Sequence, residues 1–193
     1  MMIRIWVPAA LSLLALAGCG ERGEQADDAI QVQGQASTSA PARPAPEEVS
    51  GQPFVATVLG ALDFSIAGAN AVAERGEHAN AKALAQKVSS EFAGARAELA
   101  QVAQAGGLKA EGVSAPTHAS DLAILSSTGG APLDIAFAKQ QVDALTLLVG
   151  TVRAYKNGGD NPALKAWAEK YQGVIGERLL DIQTLNAELE GNG

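Results

Sequence analysis

The hydrophobic pattern is most regular between Ile135 and Tyr155, where Ile135, Ala138, Val142, Leu145, Val149 and Val152 recur at alternating steps of three and four. That spacing is the seam of a helix packed in a bundle. One helix cannot bury such a stripe alone, and three further stretches repeat the pattern. Helix one is expected from about Pro53 to Gly76, with Ser50 or Gly51 as its cap and proline tolerated in its first turn. Its stripe is Phe54, Val58, Ala61 or Leu62, Ser65, Gly68 or Ala69, and Val72. Helix two is expected from about Asn80 to Ala105, where Gly106 and Gly107 stop it. It carries Ala81, Leu84, Val88, Phe92, Ala95, Leu99 and Val102.

Helix three, the one just described, spans about Pro132 to Lys156. Helix four starts at Pro162, with Asp160 or Asn161 as its cap, and reaches about Glu190. Its stripe is Leu164, Trp167, Tyr171, Val174, Arg178, Ile182, Leu185 and Leu189. Between helices two and three lies a connection with Pro116, Gly129 and Gly130, and room for a short helix around Ser120 to Ser127. A connection of that length fits a chain that crosses from one end of a bundle to the other. Ferritin-like bundles have such a crossover between their second and third helices. The expectation is therefore an all-α, ferritin-like four-helix bundle over residues 53–190, with a long crossover between helices two and three.

Composition narrows the function. With 193 residues and 47% hydrophobic content, the chain can bury one core. Aromatics are only 4%, and abundant Ala and Leu favour helix over sheet. The formal charge is −7 with no basic run, which argues against nucleic acid as a partner because phosphate contacts need clustered Lys and Arg. The single cysteine, Cys19, cannot form an internal disulfide.

Residues 1–18 place Arg4 ahead of an apolar run that ends in small residues, the pattern of a signal peptide. The run is too short to cross about 30 Å of hydrocarbon. Leu16-Ala17-Gly18-Cys19 resembles the bacterial lipobox. That resemblance implies that Cys19 is lipidated, becomes the new N-terminus and anchors the chain to a membrane, with Gly20 after it favouring the outer membrane facing the periplasm. More than one acyl chain is needed for stable anchoring, and a processed lipoprotein cysteine supplies it. Residues 19–52 hold the lipidated cysteine and a tether rich in Gly, Ser, Gln, Ala and Pro, expected to be disordered because it has too little apolar surface to offset ordering entropy. As a flexible coil it reaches about 30 Å.

Gly158-Gly159-Asp160-Asn161-Pro162-Ala163-Leu164-Lys165-Ala166-Trp167-Ala168, Lys82 to Lys87, Phe64-Ser65-Ile66 and the crossover are similar to the ferritin-like family known as domain of unknown function four-one-four-two. The likeness extends over about Phe54 to Leu189. It implies a bacterial envelope protein, often a lipoprotein, with no firmly assigned activity. Family members commonly carry a Glu on helix one and a His on each of the other three helices. Those places fall on Ser65, Phe92, Leu145 and Arg178 here, and none of the four can act as the family residue does, apart from Ser65 as a weak hydrogen-bonder.

The residues themselves offer no complete catalytic or metal constellation. A di-iron or di-manganese bundle needs inward carboxylates and Glu-x-x-His pairs. No Glu-x-x-His occurs, and His78 and His118 fall in connections, where each is expected to be solvated. Arg178 is a cation on an apolar stripe, expected at the seam edge with its head in solvent. Its candidate partners are Asp181, Asp63 and Glu91. Asp134, Asp143, Glu177 and Asp181 lie near the seam but read as solvated helix faces. Trp167 and Tyr171 read as core packing, and Ser126-Ser127-Thr128 lacks a His or acid at useful spacing.

The expectation is a non-enzymatic, membrane-anchored binding or interaction module with no cofactor, partnered by the membrane through Cys19 and by an envelope protein. A metal-dependent oxidase or storage protein of ferritin type, suggested by the resemblance alone, is the second reading, and a sensor of envelope stress is the third.

Overall fold

The structure is a computed structural model that describes residues 49–191. The signal peptide, Cys19 and nearly all of the expected tether lie outside the described residues. Five helices follow one another: α1 (Gly51–Arg75), α2 (Ala79–Ala105), α3 (His118–Ser127), α4 (Ala131–Gly158) and α5 (Pro162–Gly191). Four of them are the long rods read from the sequence, and α3 is the short helix of the crossover.

Pairs across the interfaces give the directions. Asp63 meets Arg96 and Asn70 meets Ser89, so α2 runs back along α1. Tyr155 stacks on Phe54 at one end while the Asp134 carboxylate receives the amides of Glu77 and His78 at the other, so α4 is antiparallel to α1. Tyr171 donates its hydroxyl to Glu98 at 2.7 Å near the start of α5, while Asn80 at the start of α2 donates its side-chain amide to Glu188 at 2.7 Å near the end of α5, so α5 is antiparallel to α2. The order is up, down, crossover, down, up, the connectivity of ferritin-like bundles.

Each end of the bundle is tied by an aspartate that caps a helix of the other hairpin. At one end the Asp160 carboxylate, in the α4–α5 turn, accepts the Gly51 amide at 3.2 Å and the Tyr155 hydroxyl at 2.7 Å. The hydrogen bond from Tyr155 holds the Asp160 carboxyl below the ordinary aspartate range. Burial, reinforced by that same bond, pushes the Tyr155 phenol up. At the other end Asp134, in the first turn of α4, receives Glu77 N–H at 3.0 Å and His78 N–H at 2.8 Å, the two amides that lead into α2. Asn161 caps α5 through its side-chain oxygen, which accepts the amides of Ala163 and Leu164.

Four sequence expectations shift. The last residues of the tether are ordered: Val49 N–H bonds the Gly158 carbonyl at 2.8 Å, and α1 begins at Gly51 instead of Pro53. On α4 the buried face is Leu133, Asp134, Phe137, Ala138, Gln141, Ala144, Leu145, Leu148, Val152 and Tyr155, while Ile135 is exposed and Val142 and Val149 are half-buried. A helix touching two neighbours and a covering strap buries a stripe wider than a two-stranded seam, and the three residues at seven-residue spacing fall on its edge. On α2, Ala85 and Ala103 are buried while the larger Leu84 and Val102 are only half-buried. On α5, Ile175 takes the buried place expected of Val174, which is half-buried with Tyr171.

The crossover is laid against α1 by close backbone approach. Val113 N–H bonds the Ala56 carbonyl at 2.8 Å, and a side-chain carbon on Gly60 would meet the Val113 carbonyl oxygen at 2.1 Å. Only glycine leaves that space. At the far end Arg75 donates to the carbonyls of Leu125 at 2.8 Å, Ser126 at 3.3 Å and Thr128, satisfying acceptors at the end of α3.

Candidate functional site

Ser65, Phe92, Leu145 and Arg178 all lie on the inward faces of the four long helices. Phe92 and Leu145 are 0% exposed within the apolar core. Ser65 is equally buried, and its hydroxyl has no hydrogen-bond partner. Arg178 is 3% exposed, which corrects the expectation of a guanidinium reaching solvent. The side chain stays inside because carboxylates come to it from two helices: Asp181 and Glu177 (3.1 Å) on α5, and Glu91 (3.0 Å) on α2. The Glu91 contact is an ion pair without hydrogen-bond alignment, since neither Arg178 Nε nor Glu91 Oε2 makes a hydrogen bond. Asp63, the third candidate partner, instead takes Arg96. Glu177 and Asp181 thus belong to one charged cluster, and their faces are not merely solvated.

The core also holds Gln141, which the sequence pattern passed over because it lies beside the seven-residue seam. It is fully buried, and both of its amide atoms lack partners. A carbon on Gly68 would come within 3.4 Å of its amide nitrogen, so the glutamine occupies space that α1 leaves open.

Of the two histidines, only His118 leaves the expected solvated loop setting. His78 lies in the α1–α2 connection with its side chain 37% exposed, and its Nδ1 is 2.9 Å from the Asp134 carboxylate, which is itself 0% exposed. Asp134 is therefore a buried cap and not part of a solvated face. His118 is 8% exposed and stacks on Phe64 at 4.1 Å and 10°, because the crossover lays α3 over α1. Burial lowers its pKa, against a weaker upward pull from Asp121, so the ring is held neutral. Its Nδ1 accepts the Ala115 N–H at 3.3 Å, which leaves the proton on Nε2. Among the described residues no three His, Cys, Asp or Glu side chains converge as a metal site. The hydroxyls of Ser126, Ser127 and Thr128 bond carbonyls one turn back on α3, and Trp167 is buried beside Phe54.

A groove of about 580 Å³ lies between the crossover and α4, within the size range of small-molecule sites. Phe64 and His118 form its floor. Ile124 on α3 and Ala136, Ala144 and Leu147 on α4 form its walls, with Asp121, Lys139, Gln140 and Asp143 along it. A second recess of about 240 Å³ shares Ala115, His118, Ala144 and Leu147 with the first and extends to Thr57 and Thr151. Leu147, 72% exposed, stands between them. The arrangement can hold an apolar body against an aromatic floor and meet its polar end at the carboxylates. It contains no nucleophile with an adjacent base. Sequence reasoning missed it because it exists only where α3 docks, and the exposed Leu147 and Ile124 were the only hint.

A family model described as a domain of unknown function, DUF4142, matches residues 35–185. No curated protein and no solved structure matches the chain. The match covers all of α1 to α4 and most of α5, and on this evidence the chain belongs to the DUF4142 family.

Proposed function

We propose that the protein is a lipid-anchored, non-catalytic binding module of the bacterial envelope, held at the outer membrane through Cys19 and facing the periplasm, with the groove between α3 and α4 as its binding face. The groove carries this reading. It has a rigid aromatic floor, apolar walls and unpaired carboxylates, yet no group placed for bond making. The tether of residues 19–52 gives the bundle about 30 Å of freedom above the membrane. The apolar length of α1 does not compete with this anchor: it is long and apolar enough to cross a membrane, but 56% of its most apolar stretch is buried inside the bundle, as in any core helix.

The anchor is tested by fractionating cells that express the wild type or Cys19→Ser. The wild type is expected in the membrane fraction, with a diacylglycerol on Cys19 by mass spectrometry, and the variant in the soluble fraction. Equal membrane association of the two would remove the anchor from the account. The ferritin-like helix order of this chain favours a second reading, a metal-dependent oxidase or storage role, and stoichiometric iron or manganese surviving dialysis would support it over binding.

A further inference from the structure

We infer that the groove takes a cationic amphiphile, an organic ammonium group carried on an apolar body. This names the ligand class for the binding role proposed above and rests on it. The walls and floor select the apolar body: Phe64, Ile124, Ala136 and Leu147 offer it carbon on three sides. The polar groups select the charge. Asp121 and Asp143 line the groove from opposite helices, and neither carboxylate makes an ion pair among the described residues.

Gln140 lies between them on the groove wall, where its amide nitrogen donates to the Asp121 carbonyl at 3.4 Å. An organic cation balances the charge of the two carboxylates whether or not it carries N–H groups, whereas a sulfate or carboxylate would face like charge. The groove's one cation, Lys139, lies four residues before Asp143 without pairing to it, and its exposed stem can carry the charge out to water. His118 is neutral and adds no positive charge. The negative balance of the whole chain, −7, steers cations in the same direction.

The test uses the full mature chain carrying Cys19→Ser, which needs no detergent, and titrates it calorimetrically with decyltrimethylammonium or decyl sulfate, both kept monomeric. The ammonium is expected to bind at least about tenfold more tightly than the sulfate, the size expected of two partly solvated ion contacts. Asp121→Asn with Asp143→Asn should abolish that preference while leaving the melting temperature unchanged, and Ala136→Trp should block both probes. If the two probes bind equally and Ala136→Trp blocks both, the charge assignment is wrong while groove binding stands. If binding of either probe is indifferent to Ala136→Trp, groove binding itself fails. If neither probe binds the Cys19→Ser chain, the ligand class is wrong.

Discussion

Replacing Arg178 with glutamate is expected to lower the melting temperature by about 10 °C. The substitution removes the cation that Glu91, Glu177 and Asp181 share and adds a fourth carboxylate at a place 3% exposed. Breaking a buried pair costs about 3 to 5 kcal/mol, because the charge left behind is uncompensated. Glu177 and Asp181 reach solvent and can rehydrate, which puts the loss near the lower figure. In a domain of this size each kcal/mol is worth about 3 °C. An apolar replacement separates charge from volume: Arg178→Met with Glu91→Gln should recover most of the loss, since a buried ion pair is weak evidence for net stability. Thermal unfolding followed by circular dichroism decides, and a shift under one degree for Arg178→Glu would mean that the guanidinium reaches water after all.

Gly60→Ala should undock the crossover without dissolving the bundle. The added carbon would lie 2.1 Å from the Val113 carbonyl oxygen and 2.6 Å from its carbon, backbone atoms that no side-chain rotation can relieve. Overpacking costs about 1 to 3 kcal/mol. Here it falls on a segment otherwise tied by the Gln52–Lys109 and Val113–Ala56 hydrogen bonds, the His118–Phe64 stack, the Gln140–Asp121 hydrogen bond, Leu125 in the core and the Arg75 clamp on α3. The crossover has few buried apolar contacts of its own, so it opens locally before the four long helices separate. Hydrogen exchange between residues 113 and 127 should accelerate by about ten- to a hundredfold, with far-UV circular dichroism nearly unchanged and decyltrimethylammonium binding lost. Unaltered exchange there would show that the strap is not seated on Gly60.

The rods, their order and the crossover were legible because each depends on local periodicity and on glycine, proline and Asx signals that act within a few residues. Finer placement was not, and the reasons are tertiary. Ile135, Val142 and Val149 looked like a seam, but α4 also receives the α3 strap, and the wider buried face moves onto Phe137, Gln141, Ala144 and Leu148. Arg178 looked like an edge residue because its own helix shows only Glu177 and Asp181, whereas Glu91 arrives from α2. His118 and Asp134 looked solvated because their partners, Phe64 and the amides of Glu77 and His78, are more than fifty residues away in the chain. The groove was invisible for the same reason.

The most direct test of the central claim places a photo-crosslinking amino acid at Leu147, on the rim of the groove, or at Leu180, 64% exposed on α5 away from it, in the full-length anchored protein in cells. Both sites tolerate substitution because both side chains stand in solvent. Irradiation followed by mass spectrometry is predicted to give adducts from Leu147, lost again in the Ala136→Trp background, and none from Leu180. Adducts from Leu180 with none from Leu147 would contradict the account.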